Sequence, residues 1–172
     1  VPLRKMNVVI IVEESLGLGV LGPRPGETVS LTPEIDRLAG EGLFFTNFYA
    51  TGNRTDRGLE AILTSFPPIP GKSILRRKYS DNIASIARVL KDAGYQTEFL
   101  YGGRGIFDGV RVFMTANGFD LFVEQKDYEH PTHVTSWGVC DEDIFHKALS
   151  EFDRFAASGK PFLGVILTVS NH

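Results

Sequence analysis

The chain has 172 residues, 42% hydrophobic and 23% charged, with a formal charge of -3. That length can bury a sizeable core in one domain. The weak acidic balance argues against a general nucleic-acid binder, because nothing supplies a basic face. Arg76-Arg77-Lys78 is too short to change this and reads as a solvated loop. The one cysteine, Cys140, excludes an internal disulfide. It precedes Asp141, Glu142 and Asp143, so no positive surround activates the thiol, and it reads as structural. No run approaches the roughly 20 apolar residues of a membrane span, and no signal peptide is visible. The first strand begins within a few residues of Val1, as expected of a piece whose targeting segments lie upstream.

Short apolar runs alternate with amphipathic segments, which predicts an α/β fold with a largely parallel sheet and helices on both faces. Asn7 to Val12 reads as a buried strand. A GxGxxG follows at Gly17 to Gly22, but Pro23-Arg24-Pro25-Gly26 breaks any helix that would complete a dinucleotide site. Thr32-Pro33-Glu34 signals a helix start, with Ile35 and Leu38 facing in and a stop near Gly40 to Gly42. Leu43 to Tyr49 reads as a second strand, Asp56 to Thr64 as a short helix, and 66–71 as an irregular loop. The next helix is predicted from Ser80 or Asp81 to Gly94, with Ile83, Ile86, Ala87 and Leu90 at helical spacing. Thr97 to Tyr101 reads as a strand, Phe107 to Ala116 as a helix, and Phe119 to Val123 as a short strand. Asp141 to Ala157 is a helix with Ile144, Phe145, Ala148, Leu149, Phe152 and Phe155 inward. Phe162 to Val169 is the last strand.

Chemistry concentrates at NVVIIVEES (7–15) and TGNRTDRGLE (51–60). Glu13 and Glu14 end an apolar strand, on the edge where open α/β sheets bind ligands. Adjacent strand residues point to opposite faces, so at most one would hold a cation. Spacing alone leaves open whether both are solvated acids. Thr55, between Arg54 and Arg57, stands where a threonine usually only caps a helix. It becomes a nucleophile only if a metal or base activates it. His130 and His133 read as loop histidines, and His146 as partly exposed on a helix. His172 follows the last strand, again on the ligand edge.

In order along nearly the whole chain, NVVIIVEES, LTPEIDRLAGEGLFFTNFYATGNRTDRGLEAILTS, Tyr101-Gly102-Gly103, FDGVRVF, NGFD, WGVCDEDIFHKAL and PFLGVILTVSNH resemble the lipoteichoic acid synthase-like branch of the sulfatase family, in the alkaline phosphatase superfamily. The resemblance implies that residues 1–172 are the amino-terminal portion of a catalytic domain, an incomplete alkaline phosphatase/sulfatase-like fold. It implies Glu14 as a metal ligand, Thr55 as nucleophile and metal ligand, His172 as a contact to a phosphoglycerol group, and Arg54 as a second electrostatic partner. The implied reaction moves phosphoglycerol from a phospholipid, phosphatidylglycerol foremost, through Thr55 to a glycan or glycerol-phosphate acceptor. The implied cofactor is a divalent metal, manganese first, with zinc, magnesium or calcium as alternatives.

The family completes its metal site with an Asp-His pair and another acid further along, so this stretch alone is expected neither to hold metal tightly nor to turn over. The synthases carry a tryptophan and an arginine after the third strand. This chain has Phe107-Asp108-Gly109-Val110 there, so head-group recognition is expected to differ. Thr55-Asp56-Arg57 lacks the Cys or Ser and the proline of formylglycine sulfatases, which favours phosphoryl over sulfuryl chemistry. The competing readings are a sulfatase- or phosphodiesterase-type hydrolase, a phosphoethanolamine transferase, and a non-catalytic domain of the same fold. The resemblance also implies a membrane-anchored parent with this domain on the periplasmic or extracellular side.

Overall fold

A computed structural model describes residues 5–23, 25–67 and 69–172. The chain forms two compact units, one from residues 15–50 and the other from residues up to 14 together with 51–172.

The larger unit is built on four parallel strands, β1 (Val8–Val12), β2 (Gln96–Tyr101), β3 (Leu121–Val123) and β4 (Phe162–Leu167), in the order β1-β4-β2-β3. β4 is buried along its whole length, and β2 from Thr97 onward. The apolar run of β4 is the pattern of a strand covered on both faces, whereas β2 also buries Thr97 and Glu98. β1 lies at the edge and alternates, with Val9 and Ile11 exposed. Around the sheet lie α2 (Thr55–Thr64), α3 (Ile86–Asp92), α4 (Val110–Ala116) and α5 (Asp141–Ala157). Phe99 anchors the core, stacked on Phe122 at 5.3 Å and edge-on to Phe119 at 5.5 Å. α5 buries Ile144, Ala148 and Phe155, and its Phe152 stacks on Phe162 of β4 at 5.0 Å. Each fully buried large aliphatic or aromatic side chain contributes about 1.5–3 kcal/mol. A Cβ at Gly164 would come within 2.3 Å of the Phe152 ring, so only glycine lets α5 sit this close to β4.

The smaller unit contains α1 (Pro33–Glu41), a 3₁₀ turn at Leu18–Val20 and an isolated bridge between Pro23 and Ser30. The GxGxxG therefore includes a 3₁₀ turn, and among the described residues no α-helix begins until Pro33. Asp36 of α1 accepts a hydrogen bond from the Gly22 N–H at 3.1 Å.

Several predicted elements need correction. Residues 43–49 form no strand. No described strand pairs with them, and Leu43, Phe45, Phe48 and Tyr49 are exposed. The third helix starts at Ile86, not at Ser80 or Asp81. Asn117 holds the preceding segment out of helix, accepting from Ile83 N–H at 2.7 Å and donating to the Ser80 carbonyl at 2.7 Å. Ser85 then caps α3 through the Arg88 N–H at 3.0 Å. The helix predicted over 107–116 is broken, because Asp108 (φ 51°) and Gly109 (φ 72°) are left-handed within the short turn Phe107–Gly109, and α4 begins only at Val110. The last two strands are shorter than predicted, β3 beginning at Leu121 and β4 ending at Leu167. Leu38 and Leu149, predicted inward, are exposed.

Candidate active site

Three adjacent strands of the larger unit end at one pocket. Glu14 follows β1, Tyr101 closes β2, and His172 lies beyond β4. This is the carboxyl edge of a parallel sheet, where ligands bind in open α/β folds.

Pairing beyond the strand ends fixes Glu14. Thr168 N–H donates to the Val12 carbonyl at 3.1 Å, and the Thr168 hydroxyl accepts from Glu14 N–H at 2.7 Å. The Glu14 carboxylate meets α2, where Thr55 Oγ1 donates to Glu14 Oε2 at 2.8 Å. Thr55 is the first residue of the helix proper, and Arg54 occupies the N-cap position in extended conformation. No side chain caps α2, so the common capping role does not account for the Thr55 hydroxyl. Glu13 takes a different place. Its Oε2 lies 3.4 Å from Thr168 Oγ1, and burial, then the nearby Asp141 charge, push its carboxyl above the ordinary range.

The two arginines beside Thr55 divide. Arg57 is structural, since it donates to Glu60 Oε1 at 2.7 Å and also to the Gly71 carbonyl. Glu60 is 1% exposed and also accepts from Ser73 Oγ at 2.8 Å and Ile74 N–H at 2.7 Å. Burial would push this carboxyl up, but the Arg57, Ile74 and Ser73 hydrogen bonds outweigh it and hold it below its usual range. This network ties α2 to the 71–74 loop. Arg54 is exposed at the helix start. The Arg76-Arg77-Lys78 run is also more than a solvated loop. Arg76 lies 3.2 Å from Asp108 Oδ1, and Arg77 donates to the carbonyls of Lys72 and Pro70.

His172 stacks on Trp137, centroids 3.7 Å apart, and Trp137 packs edge-on against Phe107 at 5.7 Å. Trp137 sits between Val134 and Val139, which form an isolated bridge. Gly138 (φ 152°) presses this turn onto the end of β2, where an added Cβ would lie 2.3 Å from the Gly102 carbonyl oxygen. Asp141 opens α5 and clamps the segment leading to His172. Its carboxylate accepts from Val169 N–H at 2.6 Å and Ser170 N–H at 3.0 Å, and its own N–H donates to Ser170 Oγ at 3.0 Å.

Glu14, Thr55 and His172 thus line one pocket, and Glu13 does not. Phe107 and Asp108, from the segment where head-group recognition is expected to differ, line it too, as do Tyr101 and Asp56, to which the sequence reading gave no role. Burial, then the charges of Glu14 and Asp108, push the Tyr101 phenol upward. His130, His133 and His146 are exposed. Cys140 donates from Sγ to Asp143 Oδ2 at 3.1 Å, in keeping with a structural role.

A carboxylate and a hydroxyl whose oxygens lie 2.8 Å apart are hard donors suited to a divalent cation. Among the described residues, no group of three or more His, Cys, Asp or Glu side chains comes together as a cation site. Glu14 and Thr55 fit as part of such a site, not the whole.

A parallel α/β sheet with a hydroxyl and a carboxylate at its carboxyl edge is an arrangement many open α/β folds share, and comparison with known proteins gives the class: an alkaline phosphatase/sulfatase-like fold. The chain belongs to the sulfatase family, which it matches over residues 6–172. It is 28% identical to a phosphoglycerol transferase I of Salmonella arizonae, over 100% of this chain and 24% of that protein. A solved protein of the alkaline phosphatase superfamily from Vibrio parahaemolyticus is 45% identical and superposes with a TM-score of 0.90, covering 98% of this chain and 41% of that one. The lipoteichoic acid synthase LtaP of Listeria monocytogenes shares the fold, with 23% identity and a TM-score of 0.88 over the same shares. The chain therefore spans about a quarter of the curated relatives it matches.

Proposed function

We propose that residues 1–172 form the amino-terminal portion of a phosphoglycerol transferase catalytic domain, with Thr55 as nucleophile. The observation that carries this reading is the 2.8 Å hydrogen bond from Thr55 Oγ1 to Glu14 Oε2, at a hydroxyl that caps nothing. The similarity to a phosphoglycerol transferase I over the whole chain supports it. Thr55 Oγ forms a bond to the phosphorus of phosphatidylglycerol as the bond from phosphorus to the diacylglycerol oxygen breaks. The Thr55 proton, directed at Glu14, leaves, and the departing alcohol gains one. A glycan or glycerol-phosphate hydroxyl then attacks the same phosphorus, and Thr55 regains its proton as the acceptor loses its own.

Glu14 and Thr55 would hold the divalent cation, manganese in our proposal, together with ligands from other parts of the protein. When bound it would lower the Thr55 pKa and stabilise charge on the phosphoryl oxygens. His172 and Arg54 would contact the substrate, His172 with its ring held flat by Trp137. A threonine at this position, in place of a formylglycine precursor, favours phosphoryl transfer over sulfate hydrolysis. We place the domain outside the cytoplasmic membrane, with anchoring supplied by other segments; no described helix is long and apolar enough to cross one.

The test is diacylglycerol release from phosphatidylglycerol by the full-length protein that carries this chain. Release that requires manganese and is lost in Thr55→Ala is expected. Undiminished release by the variant would overturn the reading.

A further inference from the structure

Among the described residues, three buried side-chain atoms lack a hydrogen-bond partner: Asp56 Oδ1, Glu98 Oε2 and Tyr128 Oη. Only Asp56 lines the pocket of Glu14 and Thr55. It directly follows the nucleophile and is 4% exposed. A carboxylate oxygen enclosed without a donor loses its hydration uncompensated, and native structures leave few such groups unpaired. Its other oxygen is provided for. Asp56 Oδ2 faces Arg76 Nη1 at 3.9 Å, and the same nitrogen lies 3.2 Å from Asp108 Oδ1 across the pocket wall. Asp108 is held there in a left-handed conformation, φ 51°, that few non-glycine residues adopt. One guanidinium thus already faces this pair of acids, and what Asp56 Oδ1 lacks is a single hydrogen-bond donor.

We propose that Asp56 is a specificity-determining residue whose Oδ1 accepts a hydrogen bond from a hydroxyl of the phosphate-linked head group, selecting a polyol phosphate over an unsubstituted alkyl phosphate. This rests on the reading of the pocket as a phosphoglycerol site and deepens it. A site whose buried acceptor is built for a substrate hydroxyl rejects the analogue lacking it, because the acceptor is then left unpaired. A neutral hydroxyl supplies the donor without the desolvation of a second cation beside Arg76.

Calorimetric titration of the full-length, manganese-loaded protein with glycerol 1-phosphate, propyl phosphate and ethanolamine phosphate tests this. Glycerol 1-phosphate is expected to bind at least about tenfold tighter than propyl phosphate, the discrimination of one hydrogen bond to a charged group. Asp56→Ala should bring that ratio close to one, because glycerol 1-phosphate loses its advantage over propyl phosphate. Asp56→Asn keeps the side-chain volume and an acceptor oxygen, guards against misfolding, and should give an intermediate ratio. Equal binding of glycerol and propyl phosphates by the wild type, or a preference that survives both substitutions, would overturn the proposal. So would a preference for ethanolamine phosphate that is lost in Asp56→Ala, which would make the ligand an ammonium. A parallel loss of manganese affinity and of all three phosphates in the variants would make Asp56 a cation ligand and also overturn it. If the manganese-loaded wild type binds none of the three, the phosphoglycerol reading itself falls, and this inference with it.

Discussion

Thr55 and Glu14, 41 residues apart in sequence, share a hydrogen bond of 2.8 Å at the carboxyl edge of the sheet. β1 delivers the carboxylate and the first residue of α2 delivers the hydroxyl, so the contact depends on two elements that meet only in the folded chain. Because the hydroxyl is not a cap, its loss should cost little stability. Thr55→Ala is expected to lower stability by about 1 kcal/mol, the net worth of one hydrogen bond, and to abolish transfer. Urea unfolding alongside an assay of the full-length protein checks both.

Glu60 is the structural counterpart of Glu14. It is buried, paired with Arg57 and bonded to two groups of the 73–74 loop. Removing one partner of a buried pair strands the other, so Glu60→Ala should cost about 3–5 kcal/mol. Denaturant unfolding measures it. A cost below that of an exposed pair would show that the network does not hold α2 in place.

Glu98 makes stability depend on pH. It is 1% exposed on β2, and burial, then the charge of Glu151, raise its pKa from 4.5 to about 7. The unfolded chain releases this proton near 4.5 and the folded chain only near 7. The stabilisation is therefore full below 4.5 and falls as pH rises to 7, by about 3 kcal/mol in all for such a shift. Glu98→Gln should flatten that decline, as read from unfolding free energies between pH 4.5 and 8. An unchanged slope would mean that Glu98 is ionised in the folded protein.

Trp137 is the only tryptophan in the chain, so its emission reports on the stack with His172. His172→Ala should shift that emission to longer wavelength as the indole gains water. Gly138→Ala should do the same and also destabilise, because its Cβ would meet the Gly102 carbonyl and its φ of 152° disfavours any side chain. Unchanged emission in both would show that the stack does not persist in solution.

Elements whose cause is local were legible in the sequence. β1, α2 and α5 follow from apolar runs and helical spacing, and their ends lie within a residue of prediction. The segment before α3 was not legible, because the side chain holding it extended, Asn117, comes from more than thirty residues later. Likewise Leu43 to Tyr49 has strand-like composition, but a strand needs a partner that propensity cannot supply. At the site, positions at element ends drew attention to Glu13 or Glu14, Thr55 and His172, and only the family resemblance chose Glu14 and gave the three their expected roles. Asp56 and Trp137 were not legible, since a buried unpaired oxygen and a ring stack arise only from tertiary contacts, and the left-handed turn at Asp108 was not foreseen although its segment was flagged. Arg57 pairs with Glu60 one turn along the same helix.

The most direct measurement is tandem mass spectrometry of the full-length protein quenched during turnover with phosphatidylglycerol and manganese. A phosphoglycerol adduct confined to the peptide carrying Thr55, and absent in Thr55→Ser only if that variant fails to turn over, is the predicted result. An adduct on another residue, or one that persists in Thr55→Ala, would contradict the assignment of Thr55 as the nucleophile.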